Sequence, residues 1–414
     1  MTDNERLAEL LFPNISWTPQ QYEEQYPARQ LPEGARVTRF SPSPTGYLHI
    51  GGLFAAMTAR LTAKATSGVF FLRIEDTDKK REVEGGVTAI VTGLAAFGIT
   101  PDEGITGLGT ESGVYGPYQQ SKRREIYQCF AKELVRQGLA YPCFCTEAEL
   151  TALREQQEAQ AATRATMANG PPAAISLFVS KSRLSRPASL TRSACVPPET
   201  KAAASSSTIS SRARSKCQKT RRISFAQNGR HPNLPLAHAV DDHLMRTTHV
   251  VRGDEWIASL PIHLQLFKCC GFKPPKYAHF APIMKEENGG KRKLSKRKDP
   301  EAAVSYYIEQ GYPKESVIEY LLTLANSNFE DWRRANKTAP QADFPFNLKK
   351  MSASGALFDL QKLNDVSKNV ISLMTADEVY DRAVNWAQQY DEALYRLLMR
   401  TKPLPRVSFA LTAA

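Results

Sequence analysis

A loop suited to phosphate binding is the first candidate site. Two prolines and a glycine make residues 41–46 a loop, and the predicted helix after it begins with His49, Gly51 and Gly52. Small residues at a helix N-terminus let a phosphate approach free backbone N–H groups, and an imidazole adds one more donor. The loop and the helix start together therefore predict phosphate binding, although residues 49–52 taken alone would favour an ordinary turn.

A run of basic residues is the second candidate. Lys293, Ser295 and Lys296 lie in the segment 291–298, which follows Asn-Gly-Gly at 288–290. We interpret 288–290 as a flexible loop that lets the basic side chains fold over a triphosphate and stabilise charge developing on pyrophosphate. A solvated basic surface is the alternative interpretation.

Four further residues could recognise an acidic amino acid. Arg39 and Glu75 lie near the carboxyl ends of neighbouring predicted strands, the edge at which α/β sheets bind ligands. Arg252 and Trp256 lie at the end of a later predicted strand and just after it. An arginine makes a bidentate pair with a carboxylate, and a carboxylate pairs with an α-amino group. Ordinary ion pairs at strand ends are the alternative.

Two groups of residues resemble fragments of metal sites. Cys143 and Cys145 could supply half of a zinc site, but a structural zinc needs four ligands and no second pair follows at a suitable spacing. Asp241, Asp242 and His243 are interpreted as a turn whose acids cap a helix or bind backbone. The sequence therefore predicts no metal ion held by the protein itself.

The order of predicted elements indicates a doubly wound α/β fold with a parallel sheet. After a helical leader come a strand at 35–40, a helix at 50–65 and a strand at 69–74 that is apolar on both faces, as in a sheet buried on both sides. A further strand is predicted at 248–252. The other predicted helices end near 97 or cover 118–138, 146–160, 256–270, 300–325 and 357–400.

Composition excludes several classes of protein. No apolar run could span a bilayer, the N-terminus shows no export signal, and the seven cysteines are too few and irregular for a disulfide framework, which predicts a cytoplasmic protein. The net charge of +12 does not indicate RNA binding, because twelve Lys/Arg and one Glu lie in residues 171–230 alone. That segment also holds thirteen serines and cannot supply a packed core.

Five motifs, in order and with matching spacing, resemble those of the class I glutamyl- and glutaminyl-tRNA synthetases. They are Arg-Phe-Ser-Pro-Ser-Pro-Thr-Gly at 39–46 with His-Ile-Gly-Gly at 49–52, Arg-Ile-Glu-Asp-Thr-Asp at 73–78, Val-Asp-Asp-His at 240–243, Val-Arg-Gly-Asp-Glu-Trp at 251–256 and Lys-Leu-Ser-Lys-Arg at 293–297. The match covers about 35–160 and 237–395. Five motifs in sequence order make the resemblance highly specific.

This resemblance implies ATP-dependent attachment of glutamate to tRNA(Glu) through a glutamyl-adenylate, with Mg²⁺ accompanying ATP. It implies that His49, Lys293 and Lys296 are catalytic and that Gly51, Gly52 and Ser295 join them in binding ATP. The implied glutamate site comprises Arg39, Ser41, Ser43, Glu75, His238, Arg252, Glu255 and Trp256, with Arg252 facing the side-chain carboxylate. The implied protein is a monomer with no membrane partner, and such enzymes usually need bound tRNA before they activate the amino acid.

The resemblance also predicts the domain organisation. A Rossmann-like catalytic domain would hold an inserted acceptor-binding domain and lead into a mostly helical C-terminal region. The predicted boundaries are a leader at 1–34, catalytic halves at 35–140 and 237–300, the inserted domain at 141–236, a stem-contact helical region at 301–395 and the truncated start of an anticodon-binding domain at 396–414.

Residues of about 161–236 depart from the family. For one choice of codons, residues 166–176 read one base out of frame give Tyr-Gly-Lys-Trp-Ala-Ala-Cys-Arg-Asn-Leu, a family-like stretch. Our hypothesis is a wrong reading frame between two compensating errors, near codons 160 and 236. Leu234 then stands where the family has a tyrosine that contacts the amino acid. We therefore expect this chain to aminoacylate poorly or not at all.

Three other functions are alternatives for this chain. A glutamyl-queuosine tRNA synthetase also lacks an anticodon domain, but it ends before a region such as 346–395. A glutaminyl enzyme normally has His where Gly52 stands. A non-catalytic RNA-binding protein could use the basic segment 171–230, and glutamate-dependent ATP–pyrophosphate exchange would exclude it.

Overall fold

A computed structural model describes residues 1–78, 81–107, 109–143, 175–178, 224–225, 234–295, 297–351 and 355–400. The chain forms two compact units. The first contains Met1–Tyr47, Ala55–Thr92 and Ile99–Ala281, and the second contains Leu48–Phe54, Gly93–Gly98 and the chain from Pro282 onward. Among the described helices, none is long and apolar enough to cross a membrane.

The N-terminal segment of the first unit is helical, as predicted. Helices α1 (Asp3–Leu11) and α2 (Pro19–Gln25) each begin with a capping box, in which a threonine and the residue three positions later bond to each other's backbone N–H groups. Arg246 donates to Glu23 at 2.8 Å, which ties α2 to a later part of the same unit. The segment is therefore packed into the first unit.

A parallel sheet follows, and two of the predicted site residues lie on it or next to it: Arg39 on its first strand and Glu75 just after its second. Strands β1 (Val37–Phe40), β2 (Val69–Leu72), β3 (Glu103–Gly107) and β4 (Thr110–Ser112) lie side by side in that order, and only β4 is antiparallel to its neighbour. Helix α3 (Ile50–Lys64) joins β1 to β2, and α4 (Gly86–Ala96) joins β2 to β3. Phe70, Phe71 and Leu72 are fully buried, and each contributes about 1.5–3 kcal/mol of hydrophobic stabilisation.

The second half of this unit completes a doubly wound order. Helix α5 (Arg124–Arg136) leads into a small parallel sheet of β5 (Ala140–Cys143), β6 (Ile175–Phe178) and β7 (Ser224–Phe225). After this sheet come α6 (Leu234–Leu244), β8 (His249–Gly253), α7 (Leu260–Cys269) and β9 (Lys276–Phe280). Strands β8 and β9 are parallel. Thr248 donates its N–H to the Val37 carbonyl at 3.0 Å, which sets β8 beside β1. The chain thus winds outward from β1 in both directions, and the carboxyl ends of β1 and β8 meet at the switch point where such sheets bind ligands.

The second unit consists of a hairpin and helices. Strands β10 (Met284–Glu287) and β11 (Gly290–Lys293) are antiparallel. The helices are α8 (Val304–Glu309), α9 (Lys314–Ala325), α10 (Phe329–Ala335), α11 (Leu360–Ser372), α12 (Ala376–Tyr390) and α13 (Glu392–Arg400). Their core includes Tyr307, Tyr320, Leu321, Phe329 and Leu363, all at most 1% exposed.

The structure confirms the predicted elements in segments where apolar residues recur regularly. In other segments it contains elements that were not predicted. Strands β1, β2 and β8 and helix α3 lie within two residues of their predicted limits. Strands β3, β4, β9, β10 and β11 and helix α10 were not predicted, since most of these elements are short or rich in Gly, Lys and Glu. The helix predicted at 146–160 lies outside the described residues.

Candidate functional site

Asp242 is the anion at the centre of a buried group of charges in the first unit. We call this group, which consists of Arg39, Arg73, Glu75, Asp242 and Arg252, the arginine cluster. Arg73 Nη1 donates to Asp242 Oδ1 at 2.8 Å, and Arg39 Nε donates to the same oxygen at 3.3 Å. Burial alone would raise the pKa of Asp242, but the charges of Arg39 and Arg73 outweigh it and hold that pKa well below its ordinary value.

Glu75 is the second carboxylate of the cluster. It accepts a hydrogen bond from Arg73 Nη2 at 3.1 Å, and it is 9% exposed. Burial raises its pKa even though Arg73 and Arg39 oppose that effect. Arg73 thereby donates hydrogen bonds to two carboxylates, those of Glu75 and Asp242, and its Nε lies 3.6 Å from a third, that of Asp241.

Arg252 differs from the other two arginines because its hydrogen-bond acceptors carry no charge. Its Nε donates to His279 Nε2 at 3.1 Å, and its Nη1 lies 3.2 Å from His263 Nδ1. Its guanidinium lies over the Tyr277 ring, 4.9 Å from the centroid. Within the described part of the chain, no carboxylate lies within 4.0 Å of it, although Arg252 is only 7% exposed. Burial, with Arg39 nearby, lowers its pKa to about 10.

His238 lies between the cluster and these aromatic rings. Its Nε2 is 3.4 Å from Asp242 Oδ2 and 3.3 Å from the Tyr277 hydroxyl, and its ring packs against His263 at 4.2 Å between centroids. Burial lowers the pKa of His238 well below its ordinary value. The predicted residue is thus a neutral imidazole in contact with the cluster.

The remaining predicted glutamate ligands lie in the segments that directly follow β1 and β8. Ser41 Oγ is buried and has no hydrogen-bond partner among the described residues, as expected of a hydroxyl that meets a ligand. Trp256 is 38% exposed, and Arg252 lies 5.9 Å from its ring centroid. Ser43 and Glu255 are exposed. A Cβ on Gly253 would lie 2.1 Å from Glu255 Oε2, so only glycine allows this position of the carboxylate.

His49 organises the start of α3 in the second unit. Its Nδ1 accepts the Gly51 N–H at 2.9 Å, and its carbonyl accepts the Gly52 N–H at 2.7 Å. The prediction that these two glycines offer free N–H groups to a phosphate is therefore wrong for this structure. Because Nδ1 accepts a backbone N–H, a neutral imidazole at this position carries its proton on Nε2.

The basic run begins on a strand of the second unit, and residues 288–290, predicted as a loop before it, form the turn of a hairpin and the first residue of its second strand. Asn288 and Gly289 have φ of 51° and 72°, the conformation of a two-residue type I′ hairpin turn, for which Asn-Gly is the preferred sequence. We call residues 284–299 the lysine hairpin. Lys293 is an exposed residue at the end of β11, and Ser295 follows it. Lys296 lies outside the described residues.

Asp299 fixes the end of the lysine hairpin. Its carboxylate accepts two hydrogen bonds from Arg292, at 2.5 and 2.8 Å, and one from the Ser295 N–H at 2.9 Å. Lys285 Nζ lies 3.2 Å from Asp299 and also pairs with Glu301. The hydrogen bonds from Arg292 lower the pKa of Asp299 most. Burial raises it, but Ser295 and Lys285 lower it further, so the pKa lies well below its ordinary value.

Asp241 and Asp242 are not capping residues, which corrects the interpretation made from the sequence. Both lie inside α6, and both are at most 1% exposed. Asp241 accepts hydrogen bonds from Arg123 at 2.6 Å and from the Tyr127 hydroxyl at 2.8 Å. Two adjacent buried acids need arginine partners, and those partners come from distant parts of the chain.

Sequence reasoning also missed His263, Tyr277, His279 and Asp299. One signal was available for two of them: Tyr277 and His279 are two residues apart on β9, so both face the same side of the sheet. No local pattern marks His263. Among the described residues, no group of three or more His, Cys, Asp or Glu could hold a metal ion. Cys143 ends β5, while Cys145 lies outside the described residues.

Comparisons with known proteins match these motifs. The family model "tRNA synthetases class I (E and Q), catalytic domain" matches residues 36–365. The chain is 48% identical to the glutamate–tRNA ligase of Clostridium perfringens (strain 13 / Type A) over 414 residues, which cover 98% of this chain and 74% of that relative. It is 46% identical to the ligase of Clostridium beijerinckii, with 98% and 73% covered. A solved glutamate tRNA ligase from Elizabethkingia meningosepticum, in complex with its amino acid, matches with a TM-score of 0.64 and 27% identity, over 88% of this chain and 76% of that one.

Proposed function

Because the chain belongs to the class I tRNA synthetases of the glutamyl and glutaminyl type, we propose that it attaches glutamate to tRNA(Glu) through a glutamyl-adenylate made from ATP. It is an aminoacyl-tRNA synthetase, and relatives at 46–48% identity are named glutamate–tRNA ligases. The observation that carries glutamate as the amino acid is Arg252, a buried guanidinium without a carboxylate partner among the described residues.

The arginine cluster supplies complementary charge for an acidic amino acid. Arg252 binds the side-chain carboxylate of glutamate, and neutral glutamine binds less well because it leaves the buried cation without an anion. Glu75 binds the α-amino group, and the Ser41 hydroxyl, which has no hydrogen-bond partner among the described residues, adds a hydrogen bond. Arg39, Ser43, His238, Glu255 and Trp256 complete the predicted glutamate site.

The second unit supplies donors for the phosphates of ATP. His49 is one of the predicted ATP ligands, and the missing side chain of Gly51 leaves space beside it, because a Cβ there would lie 3.2 Å from the His49 ring. With Gly52, Lys293, Ser295 and Lys296, these residues form the predicted ATP site. Mg²⁺ enters on the phosphates of ATP and neutralises part of their charge, as is usual for this ion.

The reaction has two steps. The α-carboxylate of glutamate attacks the α-phosphorus of ATP, an acyl–phosphate bond forms, and pyrophosphate leaves with its electron pair. A ribose hydroxyl at the 3′ end of tRNA(Glu) then attacks the acyl carbon and releases AMP. Lys293 and Lys296 act in the first step, where positive charge stabilises the departing pyrophosphate.

Glutamate-dependent ATP–pyrophosphate exchange in the presence of tRNA(Glu) tests this function. We expect exchange with glutamate, weaker exchange with glutamine, and loss of the difference in Arg252→Gln. The control is Arg396→Gln, an arginine whose side chain is 68% exposed. Exchange that is equal for glutamate and glutamine in the unchanged protein would refute glutamate as the amino acid.

The hypothesis of a shifted reading frame at 161–236 can be tested separately, by comparing the protein as written with one in which the frame is restored. It predicts that the protein as written binds a non-hydrolysable glutamyl-adenylate analogue but charges tRNA(Glu) poorly. A protein with the frame restored would regain charging. Efficient charging by the protein as written would contradict the hypothesis.

We further propose that the protein is a monomer and that it acts in the cytoplasm. Size-exclusion chromatography would test the first proposal, and cell fractionation would test the second.

A further inference from the structure

Two histidines hold the guanidinium of Arg252 in a fixed plane. Strands β8 and β9 are parallel, and their register places Arg252 directly opposite His279. Arg252 Nε meets His279 Nε2 at 3.1 Å, while Arg252 Nη1 meets His263 Nδ1, on α7, at 3.2 Å. Contacts to two separate elements fix both the position and the tilt of the guanidinium group.

Both imidazoles must be neutral where they touch Arg252. A guanidinium has five N–H donors and no acceptor, so each histidine nitrogen that faces it has to accept. An imidazolium has no free acceptor nitrogen. Burial, together with Arg252 itself, lowers the pKa of His263 to about 3 and that of His279 to about 4.

The neighbouring arginines show the alternative arrangement. Arg73 and Arg39 both donate to the Asp242 carboxylate, so part of their charge is already balanced within the protein. Arg252 makes its contacts with histidines, the backbone oxygen of Trp256 and an aromatic face. The described residues therefore orient it without neutralising it, and a buried cation in that state favours binding of an anion.

We propose that His263 and His279 are positioning residues that orient Arg252 as uncharged acceptors and so reserve its charge for the side-chain carboxylate of glutamate. This inference rests on the function proposed above. A carboxylate at either position would orient Arg252 equally well, but it would balance the cation and repel the ligand. The identity of the acceptor thus sets the preference for glutamate over glutamine.

Substitutions that change only the charge of the acceptor test this role. His279→Gln keeps a neutral acceptor near the position of Nε2, and His279→Glu places a carboxylate there. His263→Asn and His263→Asp form the corresponding pair at the Nδ1 position. For each protein, glutamate and glutamine affinities are measured by calorimetry, and the KM values for glutamate and ATP by tRNA-dependent ATP–pyrophosphate exchange.

We expect the neutral variants to stay within about threefold of the unchanged protein for glutamate, because a neutral acceptor is kept. The acidic variants should weaken glutamate binding by about 30-fold or more and reduce the glutamate-to-glutamine ratio, with the KM for ATP changed less than about twofold. If one acidic variant does not fold, which thermal unfolding would reveal, the pair at the other histidine gives the same comparison.

The outcomes separate this inference from the proposed function. If the unchanged protein shows neither glutamate binding nor glutamate-dependent exchange, the proposed function fails. If it binds glutamate but the neutral and acidic variants weaken binding equally, or shift the KM for ATP as much as that for glutamate, the histidines are merely structural and the inference is overturned.

Discussion

The arginine cluster and the lysine hairpin both concentrate positive charge, but they hold it in different ways. In the cluster, Arg73 is fully buried and shares the buried Asp242 with Arg39, while the acceptors that Arg252 meets among the described residues are neutral. In the hairpin, Arg292 is partly exposed and clamped by Asp299 and Glu287. Buried charges cannot exchange partners with water, so the cluster is fixed before the ligand arrives and suits selection of one amino acid. Exposed charges can exchange partners, which suits a segment that binds phosphates during the reaction.

Removing the central anion of the cluster should have the largest effect. Asp242→Asn leaves Arg39 and Arg73 without their shared carboxylate, and losing one partner of a buried ion pair costs about 3–5 kcal/mol. We expect that loss in the free energy of unfolding, measured in urea, together with loss of glutamate activation. Asp331→Asn is the control, since that side chain is 76% exposed. A loss below about 1 kcal/mol would show that the cluster is no more fixed than a surface pair.

Removing the clamp of the lysine hairpin should affect catalysis more than folding. Asp299→Asn weakens the contacts with Arg292, Lys285 and the Ser295 N–H, so the hairpin end loses its position. We expect kcat/KM for ATP to fall about tenfold with glutamate affinity unchanged. Glu287→Gln, at a side chain that is 42% exposed, should change either value less than about twofold. Equal effects of the two substitutions would mean that Asp299 has no special part in positioning the hairpin.

Acid should distinguish the two regions by the pH at which each loses stability. The folded pKa values of His263 and His279, about 3 and about 4, lie below the unfolded value, so below about pH 6.5 the unfolded chain binds protons that the folded protein does not. The free energy of unfolding should therefore fall between about pH 6.5 and pH 4, by up to ~1.4 kcal/mol per pH unit for each histidine. The depressed pKa of Asp299 gives stability that is present above about pH 4 and lost only below it.

Urea unfolding at several pH values, compared between the unchanged protein and the double variant His263→Asn/His279→Gln, measures the part of this slope that the two histidines cause. We expect the double variant to have a shallower slope between about pH 6.5 and pH 4. Identical slopes would show that these two imidazoles are not held neutral by the fold.

The smallest expected effect concerns the turn of the lysine hairpin. Gly289 has a φ of 72°, which strains any side chain, and Gly289→Ala should destabilise the hairpin by about 1 kcal/mol. Gly290→Ala is the matched control, because its φ is ordinary for an L-residue and its nearest neighbour to a Cβ is 3.6 Å away. Hydrogen exchange of the hairpin amides reports the difference. Equal hydrogen-exchange rates in the two variants would show that residues 288–290 form a flexible loop, as the sequence predicted.

Much of the site could be predicted because its residues lie in contiguous motifs. Arg39, Glu75, His238 and Arg252 were identified from the sequence. The structure places Arg39, Glu75 and Arg252 at or just beyond the carboxyl ends of β1, β2 and β8, and His238 on α6, where it meets Asp242. The hairpin was not predicted, although Asn-Gly at 288–289 is the preferred sequence of a type I′ turn. The basic residues that follow were instead interpreted as belonging to a mobile loop. Predictions for Lys296 and for most of 161–236 fall outside the described residues.

The sequence by itself determined the family, the order of the main strands and the types of residue at the site, because periodic apolar residues and short motifs are local properties of a chain. Only the tertiary structure decided which charges are partnered. Asp242 meets Arg39 and Arg73 across about 200 and 170 residues of sequence, and Arg252 meets histidines from a helix and a neighbouring strand. The affinity of a buried cation for a ligand depends on the partners that the fold brings to it, and those contacts exist only once the sheet has formed.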